Sequence, residues 1–304
     1  MKNITLQPFI EAVAKENLVL EGVIVWQDGE EKARHHFIPE VRRNQFSVSK
    51  SFTATAVGFA LEEGLFSLTD LVADHFAAEL PKNPPENLLK LTVRDLLTMA
   101  PGQDKAHLMG DDRPALAKKT DDFVSYALAQ PFPYAPGTHF HYNNMGPYLA
   151  GILIQRFTGM NLVSYLMPRL FTPLGISAPH WEQDPKGYTF GAGGLEISVS
   201  ELAKFTRLYL QKGEWEGKQI LSKSWIAEAT KKQIANDHET PADNRLGYGY
   251  LFWRGQHDSY RADGKDAKFG IVLQDKNAAI IINADESRSQ MVLDAAWETI
   301  YPQL

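Results

Sequence analysis

The chain predicts a mixed α/β fold, α+β in its ordering, and three stretches carry that expectation. Leu18 to Trp26 and Ala33 to Ile38 form a β-rich pair around the turn signal Gln27-Asp28-Gly29. The middle of the chain is helical in pattern. The end returns to β, with Tyr248 to Trp253, Ser259 to Ala262, Phe269 to Leu273 and Ala278 to Asn283 as successive strands, closed by a helix from Gln290 to Ile300.

Ahead of the first strand, Phe9, Ile10, Val13 and Ala14 make a helical apolar stripe in Pro8 to Leu18. His35 and His36 fall on the second strand, where neighbours point to opposite faces, so a joint metal site is not expected. Ser51 to Glu63 is small and mostly apolar and ends at Gly64, a C′ residue by type, which predicts an interior helix opening near Ser47. Leu65 to Lys90, broken by Pro81, Pro84 and Pro85, reads as a surface excursion with short helices. Thr92 caps a predicted helix that closes at Pro101-Gly102, and Asp121 to Gln130 is an amphipathic helix ended by Pro131. Pro136 to Tyr148 reads as a turn, a short extended run and a loop before a helix over Leu149 to Thr158. The glycines at 191, 193 and 194 lack the Gly-Lys-Ser/Thr ending of a phosphate loop. They read as close backbone packing before a Ser-capped helix from about Val199.

The bulk numbers bound the function. The 304 residues are 44% hydrophobic and 22% charged, ordinary values for a globular chain with a sizeable core, arranged as one large domain or two intimate ones. A formal net charge of −6 with no basic run argues against a nucleic-acid partner. There is no cysteine, hence neither disulfide nor thiolate metal site. The first residues carry no export-type apolar core of roughly 7–15 residues, and no stretch approaches the roughly 20 apolar residues of a membrane span. A cytoplasmic protein without membrane attachment is expected.

The candidate chemistry begins at Ser47-Val48-Ser49-Lys50. A serine hydroxyl needs a base, and a lysine amine serves as one when burial or a cationic neighbour lowers its pKa. Three residues apart on a helix, Lys50 and Ser47 share a face. Ser49 and Ser51 read instead as a cap and a packing residue. The second constellation is Tyr142 with Asn144. A phenol beside a lysine passes protons, and an asparagine amide fixes the lysine or binds a substrate carbonyl. Taken alone, the same stretch also reads as a buried tyrosine next to a turn. His139 and His141 would share a strand face, but no third metal ligand accompanies them at a helpful spacing.

Ser47-x-x-Lys50, the Leu91 to Met99 run, Tyr142-x-Asn144 after Pro136-Gly137, Gly193-Gly194-Leu195 before a capped helix, and the terminal strands follow one another in an order that resembles the serine β-lactamase and penicillin-binding-protein superfamily over nearly the whole chain. The likeness is strongest to class C β-lactamases and the esterases and amidohydrolases built like them. It implies a sandwich in which an antiparallel sheet from the N- and C-terminal strands (residues 1–60 and 185–304) is flanked by helices, with a mainly helical region inserted (61–184). It further implies a serine hydrolase that forms an acyl-enzyme on a small-molecule ester or amide. In that reading Ser47 is the nucleophile, Lys50 and Tyr142 share the proton work, and Asn144 orients substrate. The N–H groups of Ser47 and, beyond Gly264, of Lys265 would be the oxyanion donors. No metal or organic cofactor is implied.

The departure lies in the third motif, which in the family is a strand with Lys-Thr-Gly or His-x-Gly. Here Ala262-Asp263-Gly264 stands in its place. Alanine replaces the family's carboxylate-binding base and aspartate follows it, and an acid at this spot repels anions by roughly a few kcal/mol in a dry site. This favours neutral or cationic substrates over β-lactams and peptides ending in free D-alanine. A penicillin-binding protein or β-lactamase, and a binding module of this fold whose chemistry has decayed, are the competing readings. An α/β-hydrolase is excluded because no Gly-x-Ser-x-Gly occurs in the chain.

Overall fold

The computed structural model describes residues 4–110 and 112–304. Helix α1 (Gln7–Lys15) leads into a hairpin of β1 (Leu20–Gln27) and β2 (Glu30–His36), and Asp28 and Gly29 make the turn with positive φ. After α2 (Val48–Glu62) come short helices, among them α3 (Val93–Leu97), then α4 (Met145–Thr158) and α5 (Val199–Leu210). Strands β3 (Trp253–Arg254), β4 (Tyr260–Gly264), β5 (Lys268–Leu273) and β6 (Ala278–Ala284) precede the closing helix α6 (Ser289–Thr299).

These six strands form one sheet in the order β2-β1-β6-β5-β4-β3, antiparallel throughout, and a smaller sheet pairs Leu195–Ile197 with Arg43–Asn44 and His180–Trp181. β6 is central, and every one of its residues is buried because both faces of the sheet are covered. Alternation along β1 and β6 sorts the apolar side chains. Val23, Val25, Ile280 and Ile282 pack with Phe9 and Val13 of α1 and Val292 and Ala296 of α6. Ile24, Ala279 and Ile281 turn to the opposite face, toward α2 and α5. The result is the expected sandwich of helices around an antiparallel sheet, with the helical stretch between α2 and α5 packed on the far side of α2.

α2 is buried on every side from Val48 through Ala60, its Ser, Thr and Lys side chains included, so it stands as a central post and not as a surface helix. Gly64 ends it with φ +69°. The capping box at α3 joins Thr92 and Asp95 reciprocally, and Ser198 and Glu201 repeat the device at α5.

Two expectations are corrected. The helix expected from Leu149 starts at Met145. Pro147 lies in its first turn, where its missing N–H leaves no bond broken, and Gly146 is small because a Cβ there would lie 2.3 Å from the Leu96 carbonyl. Tyr248 to Phe252 is not a strand. Leu251 takes a positive φ and donates its N–H to the Leu97 carbonyl, Tyr250 donates to Ala229, and Gly249 turns back on Phe252. The backbone is thus spent on neighbouring segments, and only Trp253–Arg254 joins the sheet. No helix among the described residues is long and apolar enough to cross a membrane.

Candidate active site

Ser47 occupies the N-cap position of α2, but its side chain makes no capping bond, which leaves the Oγ free for other work. The residue before it, Phe46, has φ +47°, a strained conformation for a bulky side chain, and is held there by its N–H to Asn44 Oδ1 at 2.7 Å. One turn into the helix, Lys50 is 1% exposed. Its Nζ donates to Ser47 Oγ at 2.8 Å and to the carbonyl of Ala192 at 2.8 Å. Neither partner is an acid. Burial first, and the charge of Arg113 second, hold the Lys50 pKa well below its ordinary value, while Asp263 pulls weakly the other way. The amine is thereby driven toward its neutral, basic form.

Tyr142 reaches the same point from the loop before α4. Its half-buried ring lies 5.0 Å from Lys50 Nζ, stacks on Trp253 at 5.3 Å and meets the edge of Tyr248 at 6.4 Å. Burial raises its pKa, with Asp263 and Glu239 adding to the rise, and only a hydrogen-bonding influence from Ser47 opposes them. The Tyr142 ring and Ser47 Oγ thus both lie near the Lys50 amine, at 5.0 Å and 2.8 Å. The phenol keeps its proton.

Gly264 ends β4 against the nucleophile segment. A Cβ there would lie 2.3 Å from the Gln45 carbonyl and 3.3 Å from the Val48 nitrogen, so only glycine lets this edge approach. The N–H groups of Ser47 and Lys265 have no acceptor among the described residues, the state expected of oxyanion donors. The Lys265 ammonium itself sits 5.9 Å above the Phe46 ring.

Of the two roles open to Asn144, binding Lys50 is not the one it takes among the described residues. It donates Nδ2 to the Leu108 carbonyl at 2.8 Å, and its Oδ1 is buried without a partner. The second bond to Lys50 is supplied by the Ala192 carbonyl. His139 stacks on Tyr134 and pairs with Thr138, and among the described residues no group of three metal-ligating side chains assembles. Ser49 is not a helix cap: its hydroxyl bonds the Phe46 carbonyl and accepts from the Leu195 N–H, tying α2 to the neighbouring strand, while Ser51 bonds the Leu251 carbonyl.

The structure adds Ala192, Arg113 and Trp253 to the site, none of them singled out by sequence. Arg113 stacks on Phe190 at 3.9 Å, pairs with Glu182 at 2.8 Å and lies beside Gly193, one peptide away from the carbonyl that holds Lys50. The third motif is also more elaborate than its residues suggested. Asp263 pairs with the wholly buried Arg261 at 2.7 Å, and Arg261 in turn donates to Asn244 Oδ1 at 2.6 Å.

Comparison with known proteins fits this arrangement. The 6-aminohexanoate-dimer hydrolase of Paenarthrobacter ureafaciens is 24% identical over 250 residues, which are 78% of this chain and 63% of that protein. Among solved structures, the octameric penicillin-binding protein homologue from Pyrococcus abyssi superposes with a TM-score of 0.74 at 21% identity, over 95% of this chain and 75% of that one. A D-stereospecific amidohydrolase from Streptomyces does so with 0.70 at 19% identity, over 96% and 98%. The Beta-lactamase family model matches residues 21–300, and the chain belongs to that family.

Proposed function

We propose that this protein is a serine hydrolase that cleaves a small ester or amide through an acyl-enzyme on Ser47. The observation that carries the reading is the 2.8 Å contact between Ser47 Oγ and a buried lysine with no acidic partner. Lys50 takes the hydroxyl proton as Oγ attacks the carbonyl carbon, and the new oxyanion is received by the N–H groups of Ser47 and Lys265. The N-terminus of α2 adds its dipole. Collapse breaks the bond to the leaving group, which receives the Lys50 proton relayed through Tyr142, a phenol whose raised pKa keeps it protonated at rest. Water then attacks the acyl-enzyme, losing a proton to Lys50, and as the acyl–Oγ bond breaks Lys50 returns that proton to Ser47 Oγ, 2.8 Å away, releasing the acid and the free serine. The names of the relatives, a dimer hydrolase and an amidohydrolase, support amide or ester chemistry.

Substrates that are neutral or cationic near β4 fit better than carboxylates, because Ala262 and Asp263 stand where the family keeps a base. A small molecule handled in the cytoplasm is the setting of this proposal. The test is hydrolysis of a short-chain p-nitrophenyl ester together with mass spectrometry after a fluorophosphonate probe. Wild type turns over the ester and carries one adduct on Ser47, and Ser47→Ala does neither. Unchanged turnover in Ser47→Ala would remove Ser47 as the nucleophile. A folded wild type with no adduct would favour a decayed binding module. Strong labelling by a fluorescent penicillin would favour the penicillin-recognising reading.

A further inference from the structure

The ion pair on β4 is lopsided in a way that assigns a substrate class. Arg261 has no accessible surface, whereas the Asp263 side chain is 21% exposed. The guanidinium is divided among several acceptors. Nε binds Asp263 Oδ2 at 2.7 Å, Nη2 binds Asn244 Oδ1 at 2.6 Å, and Nη1 lies 3.4 Å from the Arg254 carbonyl and 3.5 Å from that of Asp243. The cation is thus locked behind the strand. The carboxylate in front of it uses one oxygen, and Oδ1 has no hydrogen-bond partner among the described residues.

That carboxylate lies one residue from the nucleophile segment's contact with β4. Gly264, the next residue, presses on the Gln45 and Val48 backbone beside Ser47, and the charge of Asp263 is felt by Lys50, Tyr142 and Tyr248. It also borders a cavity of about 510 Å³ lined by Asn244, Gly264, Lys265, Arg288 and Gln290. Of the cations lining it, Arg288 is bonded through two nitrogens to Glu286, and the Lys265 ammonium is exposed and turned to the Phe46 ring at 5.9 Å. An incoming group along β4 therefore meets a carboxylate oxygen with its counter-ion out of reach.

We propose that the β4 edge is a cation subsite: the hydrolase takes an ester or amide bearing an ammonium group on the part that lies against Asp263. This rests on the serine hydrolase reading for turnover but not for binding.

The experiment uses three thioacetates that differ in one end: acetylthiocholine, its uncharged isostere S-(3,3-dimethylbutyl) thioacetate, and the anionic S-acetyl-3-mercaptopropionate. Released thiol is measured at low ionic strength. The expected order of kcat/KM is cation over neutral over anion, with the first step about fivefold, the scale of a partly exposed ion pair. Added salt at about 1 M shrinks that ratio toward one. Asp263→Asn lowers the cation-to-neutral ratio. Should that variant not fold, because Arg261 loses its counter-ion, the salt dependence in wild type decides. Equal rates for cation and neutral isostere in wild type, or the anion as best substrate, would overturn the subsite. If wild type hydrolyses none of the three, the hydrolase reading is what fails. The subsite is then judged by calorimetry on Ser47→Ala, where tighter binding of acetylthiocholine than of the neutral isostere sustains it and equal binding ends it.

Discussion

Gly264→Ala is the sharpest probe of whether β4 forms half of the oxyanion site. Position 264 has no positive φ, so alanine meets no backbone strain there, and its effect is purely one of space. The added Cβ would lie 2.3 Å from the Gln45 carbonyl, while ordinary contact begins at 3.4 Å, so the strand must retreat by 3.4 − 2.3 = 1.1 Å. Overpacking of this kind costs about 1–3 kcal/mol of stability, which leaves a folded protein. The same shift carries the Lys265 N–H about 1 Å from where the developing oxyanion needs it. A misplacement of that size reduces the rate about 100-fold, or about 2.7 kcal/mol of transition-state stabilisation. The assay is p-nitrophenyl ester hydrolysis beside a thermal melt. Because an oxyanion donor acts in the transition state and not in the ground state, kcat and kcat/KM should fall together while KM stays near its wild-type value. A folded Gly264→Ala enzyme with wild-type kcat would refute the placement of Lys265 as a donor and, with it, the alignment of the third motif.

Two further outcomes follow from the same geometry. Lys50 must be neutral to act, so kcat/KM rises with pH through the Lys50 pKa, which burial and Arg113 set well below the ordinary value of 10.5. Arg113→Gln removes the cationic contribution and moves that limb to higher pH, Glu182→Gln leaves Arg113 less compensated and moves it to lower pH, and a limb unmoved in both would exclude Arg113 as a tuning charge. The sign carries over to stability: between the lowered folded pKa and 10.5 the unfolded chain binds one more proton, so this lysine's contribution favours folding increasingly as pH rises. Trp253→Ala removes the ring stacked on Tyr142 and should cost about 3–5 kcal/mol in a melt, with kcat falling further than in Trp253→Phe. Equal kcat in the two variants would show that the stack does not position Tyr142.

Much of the scaffold was legible because its signals are local. Gly64, Thr92 with Asp95, and Ser198 with Glu201 are caps that announce helix ends in the letters themselves, and Asp28-Gly29 fixes the first hairpin. Ser47 and Lys50 share a helix turn, so their contact needed no tertiary information. What escaped was carried by groups without a local signature. A backbone carbonyl, that of Ala192, makes the second bond to Lys50, and no side-chain pattern marks a carbonyl. Arg113 enters the site from a segment far away in sequence. Trp253 was read within a longer strand because Tyr248 to Phe252 has β-type composition, yet its amides are claimed by Leu97 and Ala229 from outside the sheet. Local preference gave way there to tertiary bonding.

The acid in the third motif poses a problem that the neighbouring residues resolve. A bare carboxylate beside Lys50 would stabilise the ammonium and leave Ser47 without a base. Residues two apart on a strand share a face, and position 261 holds an arginine that reaches Asp263 at 2.7 Å. On the other side, Arg113 brings a positive charge that Glu182 moderates. Lys50 therefore sits between two ion pairs, each near neutrality, the one presenting its acid to the cleft and the other leaning its cation toward the amine. An acid beside the position of the family's base thus leaves the lysine in the form its chemistry requires. Arg261→Met is the variant in which the two collide: with Asp263 freed, the Lys50 pKa rises and the acid limb of kcat/KM moves up.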